Sequence, residues 1–179
     1  MLTTLYLVRH AHPLQNSGIA YDRVPGPPLD DIGRAEAART AQFLRNCGLH
    51  ALLCSPLERT RQTAAAISAA TGITAVIDDA LAEHRSDERF EDVSTRTAAW
   101  LARIENGPHS VLAAVTHGSP IRALLKLLSH DKLDLTRFQF AGGNPAPTAG
   151  VWRADKTGST WQIALVFEAQ HTPTVSTHS

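Results

Sequence analysis

The sequence predicts an α/β protein: a three-layer α/β/α sandwich whose sheet is mostly parallel with one antiparallel edge. Short apolar runs without polar alternation recur along the chain, as expected of strands that are covered on both faces. Segments with helical spacing of apolar residues separate these runs, which is the βαβ pattern of a parallel sheet. Near the end, turn residues 155–158 lie between two further runs and predict a hairpin that supplies the antiparallel edge.

Strands and helices are predicted in alternation along the first 128 residues. The apolar runs predict strands at residues 3–8, 51–54, 74–77 and 110–116. The helical patterns lie at residues 34–45, 58–70, 94–104 and 120–128. The third helix illustrates the criterion, because Ala98, Leu101 and Ile104 are spaced three residues apart and share one face. This order predicts helices that cross over between parallel strands.

The length of the chain and its final residues bound the domain. A chain of 179 residues is long enough for one domain with a sizeable core. The two hairpin strands are predicted at residues 149–153 and 160–168. From residue 169 onward the sequence is polar and without a pattern, which is typical of a frayed terminus. We therefore expect a single domain over residues 1–168 and a disordered tail over residues 169–179.

Composition and charge limit the classes of function. Lys and Arg together number 17 and so do Asp and Glu, so no overall field attracts nucleic acid or an anionic membrane. The only two cysteines, Cys47 and Cys54, lie in apolar stretches and do not form a disulfide framework, which suits a reducing compartment. The N-terminal apolar run is too short for a signal peptide or a membrane span. We expect a cytoplasmic protein with no nucleic-acid or membrane partner, and the sequence does not predict its oligomeric state.

Two of the predicted strands end in a histidine. The first strand leads into Arg9 and His10, and the strand at residues 110–116 leads into His117. Because ligands of such sheets bind beyond the carboxyl ends of the strands, we expect these side chains to share one crevice. The second strand ends beside Ser55, and Arg59 follows about one helical turn later. This combination predicts phosphoryl transfer to a histidine nucleophile.

Two predicted helix starts favour anion binding in the same crevice. Ser55 and Glu58 fit a capping box with Pro56 at the first helical position, and Ser119-Pro120 repeats the serine cap and proline. Helix N-termini present free N–H groups and a positive dipole end to an anion. Arginine side chains add paired hydrogen bonds to phosphate oxygens.

These motifs together resemble the histidine phosphatase superfamily, which includes the cofactor-dependent phosphoglycerate mutases, over residues 5–168. The resemblance implies a phosphoglycerate mutase-like fold. The chain departs from the family pattern at Ala11, where the family has glycine, and at His12-Pro13, where many mutases have Glu-Ser. The matching motifs, in chain order, are Arg9-His10-Ala11, Asn16, residues 29–37, residues 55–64, residues 81–83, and Thr116-His117-Gly118 followed by Ile121-Arg122.

The resemblance also implies roles for individual residues. His10 attacks phosphorus and becomes a phosphohistidine, while Arg9, Arg59 and His117 stabilise charge on the phosphoryl oxygens. Glu83 protonates the leaving oxygen and then activates water. Asp79, Glu88 and Glu91 lie on the same connection and stay open as alternative proton donors. The phosphate-binding set implied by the resemblance is Arg9, Asn16, Arg59, His117 and Gly118.

The spacing of His10 and His12 invites comparison with a metal site. Arg9 and Arg59 would repel a cation, and no cluster of carboxylates accompanies the histidines. We therefore expect no metal and no organic cofactor.

The connection from Glu83 to His117 is shorter than in the larger mutases and predicts an open pocket that water can reach. Water would then intercept the phosphohistidine, so the sequence favours a phosphatase that hydrolyses a small phosphomonoester. A protein phosphohistidine phosphatase, with a phosphoprotein as substrate, and a mutase-type phosphoryl transferase stay open. A non-catalytic phosphate-binding module is disfavoured, because phosphate binding alone requires no nucleophile. Specificity is expected to reside in the loops at residues 13–30 and 84–94.

Overall fold

The computed structural model describes residues 1–169, and within this range it contains one six-stranded sheet. The strand order is β3-β2-β4-β1-β5-β6, with β1 to β4 parallel and β5 and β6 antiparallel. This arrangement confirms the predicted fold class, including its antiparallel edge. The strands are β1 (Thr4–Arg9), β2 (Ala51–Cys54), β3 (Ala75–Ile77), β4 (Val111–Thr116), β5 (Val151–Thr157) and β6 (Thr160–Phe167).

Four α-helices cover the sheet within the described residues, two on each face. The helices are α1 (Asp31–Leu44), α2 (Glu58–Thr71), α3 (Phe90–Glu105) and α4 (Gly118–Leu128). The central strand β1 shows how the layers form, because successive side chains of a strand point to opposite faces. Leu5 and Leu7 join the core beneath α3 and α4, whereas Tyr6 and Val8 join the core beneath α1 and α2.

Three helices begin earlier than the sequence predicts, and a polar cap fixes the starts of two of them, α1 and α3. Asp30 accepts a hydrogen bond from Gly33 N at 2.8 Å, so α1 begins at Asp31 rather than at residue 34. The Asp92 carboxylate accepts the N–H of Arg89 at 3.0 Å, so α3 begins at Phe90 rather than at residue 94.

The terminal hairpin turns later than predicted. Strand β5 continues to Thr157, so residues 155–157 are paired with β6 and the reversal falls at Gly158 and Ser159. Gly158 has a φ of 61°, the left-handed conformation that glycine adopts without steric cost. The predicted tail at residues 169–179 lies outside the described residues except for Ala169, which is buried and accepts a hydrogen bond from Arg39 Nε.

Among residues 1–169, no helix is both long and apolar enough to cross a membrane.

Candidate active site

The site lies where β1 and β4 end side by side. Arg9 pairs in register with Thr116, and His10 N donates to Thr116 O at 2.9 Å. Parallel pairing therefore delivers His10 and His117 to the same edge of the sheet, with their ring centroids 5.1 Å apart. Both rings are buried, at 1% and 0% exposure. The predicted convergence of these two histidines is found.

His10 presents one ring nitrogen as a nucleophile. Its Nδ1 lies 2.8 Å from the carbonyl oxygen of Ala11, which can only accept, so Nδ1 carries the proton and Nε2 carries the lone pair. Burial holds the pKa of His10 well below its usual value, and the charges of Arg59 and Arg9 lower it further. His10 is thus neutral, as a nitrogen nucleophile must be.

Ser55 contacts His117, whereas the sequence predicts that Ser55 caps a helix. Ser55 Oγ lies 2.7 Å from His117 Nε2 and accepts the N–H of Leu57 at 3.4 Å. His117 Nδ1, on the other side of the ring, has no hydrogen-bond partner within the described residues. Burial, Arg59 and His10 all hold the pKa of His117 well below its usual value.

The predicted helix caps are wrong, for a tertiary reason. Helix α2 begins at Glu58, so Ser55 and Pro56 precede it, and Leu57 is its N-cap residue. The Ser55 hydroxyl contacts the buried His117 imidazole and accepts the N–H of Leu57, which precedes the helix, rather than an N–H of its first turn. The N–H of Glu58 donates to Pro25 O at 2.7 Å, so this helix start is occupied by the chain itself.

Helix α4 begins at Gly118, so Ser119 and Pro120 lie inside its first turn and not before it. The N-cap residue is His117, which makes no side-chain capping hydrogen bond. One helix N-terminus, rather than two, therefore reaches the site directly beside a histidine.

Two buried arginines complete the centre of the site. One guanidinium nitrogen of each is fixed by a backbone carbonyl: Arg9 Nη1 donates to Ala146 O and Arg59 Nη1 to Tyr21 O, both at 2.8 Å. Within residues 1–169 the other buried nitrogens, Arg9 Nε, Arg59 Nε and Arg59 Nη2, have no partner. Burial lowers the pKa of both guanidinium groups from its ordinary high value. Unpartnered buried N–H groups are costly, and a multi-oxygen anion satisfies them.

Glu83 is the carboxylate that reaches the histidines. Its Oε2 lies 3.8 Å from His117 Nδ1, and its Oε1 accepts the N–H of His84 at 2.8 Å. Of the alternative proton donors, Glu88 is paired with Arg96 at 2.8 Å. The other two alternatives, Asp79 and Glu91, are exposed at the starts of helical turns.

Arg96 also fastens the segment that carries Glu83. It donates to Ala80 O at 2.6 Å and to Glu83 O at 3.3 Å while it pairs with Glu88. The connection between β3 and α3 contains only one short 3₁₀ turn, at Asp79–Leu81. Helix α3 therefore holds the carboxylate segment through one side chain.

The remaining predicted residues differ in placement. Gly118 is the first residue of α4 and packs against Asn144, whose Oδ1 would lie 1.6 Å from an added Cβ. Asn16 is exposed in the loop after β1 with a φ of 53°. In the part of the chain that the structure describes, no hydrogen bond joins its side chain to the other predicted site residues.

The departures beside His10 are accommodated structurally. Ala11 is buried, donates its N–H to Thr63 Oγ1 at 3.0 Å and does not have a positive φ, so a side chain is tolerated there. His12 pairs with Asp30 at 2.8 Å and donates its backbone N–H to Glu36. Across residues 1–169 there is no group of three or more potential metal ligands.

Tyr21 is a site residue that the sequence analysis misses. Its ring lies over the Arg59 guanidinium, 3.9 Å from centroid to Cζ, and its hydroxyl lies 3.3 Å from His10 Nε2. A lone tyrosine in a loop carries no sequence signal for such a position. Two contacts fix the adjacent backbone across the site: Ser86 N donates to Asp22 at 2.8 Å, and Arg23 pairs with Asp87 at 3.0 Å.

These contacts form a roof over the histidines, and we use that name for the loop at residues 17–26 together with residues 84–88. Under the roof His10, Arg59 and His117 are almost fully buried. The loop after β1 thus covers part of the site, and the open pocket that water can reach stays a prediction.

An α/β sandwich with two histidines and two arginines at the carboxyl edge of its sheet is an arrangement typical of phosphoryl-transfer proteins. The model of the histidine phosphatase superfamily (branch 1) matches residues 5–87 and 84–168. The chain belongs to this superfamily.

The chain is similar to proteins named as mutases and to proteins named as phosphatases. The chain is 30% identical over 145 residues to "Probable phosphoglycerate mutase GpmB" of Yersinia pestis (strain Pestoides F), which covers 79% of this chain. The matched region spans 66% of the length of that relative. The same values hold for GpmB of Yersinia pseudotuberculosis serotype O:1b (strain IP 31758).

Solved structures show the same fold at lower identity. YhfR of Bacillus stearothermophilus has a TM-score of 0.74 at 23% identity, covering 91% of this chain and 96% of its own. Mycobacterial glucosyl-3-phosphoglycerate phosphatase Rv2419c, in complex with VO3, has a TM-score of 0.72 at 20% identity, covering 90% and 97%. SixA of Agrobacterium tumefaciens, assigned as a phosphohistidine phosphatase, has a TM-score of 0.68 at 24% identity, covering 91% and 96%.

Proposed function

We propose that this protein is a metal-independent phosphatase that hydrolyses a small phosphomonoester through a phosphohistidine on His10. The observation that carries the proposal is a set of four buried nitrogens around His10 that lack hydrogen-bond partners within the described residues. They belong to Arg9, Arg59 and His117, and a phosphoryl group has the oxygens to satisfy them. A neutral imidazole whose Nε2 carries a lone pair suits attack on phosphorus once a phosphoryl group replaces the contact of Nε2 with the Tyr21 hydroxyl.

In the first step, Nε2 of His10 attacks phosphorus in line, forming the N–P bond while the bond from phosphorus to the leaving oxygen breaks. Arg9, Arg59 and the Nδ1–H of His117 bind the non-bridging oxygens and stabilise the charge on them. Glu83, in its protonated form, gives its proton to the leaving oxygen. The products are an alcohol and a phosphohistidine.

In the second step, water attacks the phosphohistidine from the side that the alcohol has left. The Glu83 carboxylate takes a proton from that water, the N–P bond breaks, and His10 returns to its neutral state with release of phosphate. The same carboxylate thus acts as acid and then as base. The phosphate-binding roles of Asn16 and Gly118 stay predictions, and the free N–H groups at the start of α4 support the role of Gly118.

A mutase-type phosphoryl transferase is the second candidate, favoured by the name of the GpmB relatives. Such an enzyme returns the phosphoryl group to a hydroxyl instead of to water. The two candidates share the first step and differ in the acceptor. A cytoplasmic location and a small phosphorylated substrate, with no nucleic-acid or membrane partner, belong to the same proposal.

The test measures phosphate release from a panel of phosphomonoesters and a phosphohistidine protein with a chelator present, between about pH 5 and pH 8. Wild type is compared with His10→Ala, Glu83→Gln and the control His50→Ala, which removes an exposed histidine far from β1 in sequence. We expect His10→Ala to abolish release and acid-labile phosphate labelling of the protein, and His50→Ala to retain both.

Glu83→Gln separates the substrate types, because an imidazole leaving group needs less help from an acid than an alkoxide does. A loss of release from esters alone supports the ester reaction. Release that survives His10→Ala contradicts the proposal, and phosphoryl transfer between hydroxyls without release establishes the mutase.

A further inference from the structure

The cations bordering the site divide into two groups, and only one group is free to bind an anion. The free donors are those of Arg9 and Arg59, beside the nucleophile. Three segments follow the central strand ends or form the roof: residues 11–30, 82–89 and 138–150. Apart from histidines, their only cationic side chains are Arg23, Arg85 and Arg89.

Each of these three arginines is already paired. Arg23 and Arg85 both pair with Asp87, on separate oxygens and each at 3.0 Å. Arg89 pairs with Asp92 at 3.5 Å. The free guanidinium groups therefore suffice for one phosphoryl group. In these three segments every arginine has a carboxylate partner, and Arg122 of α4, beside the third segment, donates to Gly143 O.

The histidines of these segments are engaged as well. His12 pairs with Asp30 at 2.8 Å, and His84 Nε2 lies 2.6 Å from the carbonyl oxygen of Glu88. Asp22 and Asp87 lie in the roof beside Tyr21, so a second anion would instead approach carboxylates. Like charges brought together in this way disfavour binding.

The surface beside the nucleophile is aromatic. Tyr21 contacts both His10 and Arg59, and 44% of it is still exposed. The same loop carries three further large apolar residues that are exposed, Leu14, Ile19 and Val24. Exposed apolar side chains on a loop beside a polar centre are a feature of ligand sites.

We propose that the phosphoryl group is the single anionic group of the substrate, and that the rest of the substrate is an uncharged, apolar or aromatic alcohol. This inference rests on the proposed function, since it concerns the leaving group of that reaction. It excludes phosphoglycerate-type molecules, whose carboxylate needs a cation of its own. Tyr21 is the aromatic side chain that contacts the reacting nitrogen, with its hydroxyl 3.3 Å from His10 Nε2.

The first test measures binding, which does not depend on turnover. Calorimetry compares phenylphosphonate with 4-carboxyphenylphosphonate, two ligands that differ only in one carboxylate. We expect phenylphosphonate to bind at least about tenfold more tightly. The aliphatic pair glycerol 3-phosphate and 3-phosphoglycerate, compared by kcat/KM, is expected to show the same preference for the uncharged remainder.

A variant then tests the cause of the preference. Asp87→Asn releases Arg23 and Arg85 together, on a surface loop where the substitution is not buried. We expect the carboxylated ligand to gain affinity, so that the preference falls from about tenfold towards equality. Asp134→Asn, an exposed carboxylate that caps a 3₁₀ turn and has no paired arginine, is the control and should keep the wild-type ratio.

Equal or tighter binding of the carboxylated ligand overturns the inference, as does failure of phenylphosphonate to bind, and so does a ratio that Asp87→Asn leaves unchanged. These failures are distinct from failure of the proposed function. Selective binding without phosphate release refutes the phosphatase and leaves the single-anion site in place. Phosphate release without selective binding of the uncharged ligand supports the phosphatase and refutes the single-anion site.

Discussion

Gly33 fixes the position of the nucleophile from outside the site, and Gly33→Ala tests this. Gly33 lies in the first turn of α1, against the backbone of His12, two residues beyond His10. A Cβ built at Gly33 would lie 2.0 Å from His12 O and 3.0 Å from His12 N. Both atoms are backbone, so no side-chain rotation relieves the contact.

The distances give the size of the effect. The shorter contact is about 1.4 Å below the lower limit of ordinary van der Waals contact, so α1 and the segment after β1 must separate by more than 1 Å. A displacement of about 1 Å at a catalytic group costs roughly 10² in rate. Overpacking of this kind lowers the free energy of unfolding by about 1–3 kcal/mol, which the better helix propensity of alanine offsets by about 1 kcal/mol.

The assay measures kcat/KM on an aryl phosphate together with urea unfolding. Gly107→Ala is the matched control, because its Cβ would meet Ile104 O at 3.1 Å, a contact that a small shift relieves, at the end of α3. We expect Gly33→Ala to lose about 10² in kcat/KM and Gly107→Ala to stay close to wild type. Gly33→Ala with the activity and stability of Gly107→Ala would refute the argument that this contact positions His10.

Two further predictions concern protons and leaving groups. Because burial holds the pKa values of His10 and His117 below that of an unfolded histidine, the unfolded chain binds more protons below about pH 6.5. The free energy of unfolding should therefore fall between about pH 6.5 and pH 5.5, by up to about 1.4 kcal/mol per histidine. Urea titrations of wild type and His10→Asn measure this fall. An equal fall in both proteins contradicts the prediction. Arg96→Met should lower kcat for alkyl phosphates by about tenfold but spare aryl phosphates with good leaving groups, since it loosens Glu83. The control is Arg103→Met, which lies on the same helix as Arg96 and breaks the pair with Asp78. An equal loss of kcat on both substrate types in Arg96→Met would point to a merely structural role of Arg96.

The parts of the fold that could be predicted from the sequence are those fixed by local pattern. Strand β1 is legible because a central parallel strand is apolar on both faces, and the observed Thr4–Arg9 departs from the predicted bounds by one residue at each end. Helix starts were harder to predict. The helices capped at Asp30 and at Arg89 begin three and four residues before the apolar periodicity does, so periodicity alone places α1 and α3 too late.

The centre of the site was predictable for a topological reason. His10 and His117 each follow a strand, and adjacent parallel strands end together, so strand order alone brings the two rings to 5.1 Å. Ser55 shows the limit of local rules. Its sequence context fits a helix cap, yet its hydroxyl contacts the buried imidazole of His117, 62 residues later in the chain.

The roof could not be predicted, because its position depends on contacts between loops that are 64 residues apart. Asp22 and Arg23, next to Tyr21, contact Ser86 and Asp87, and neither loop has a periodic pattern. The histidines and arginines of this site lie near the strand ends, where sequence motifs can be recognised. In the proposal made above, the choice of leaving group depends instead on the pairing of two irregular loops. It follows that relatives can share the histidines and arginines of this site and still act on different phosphate esters.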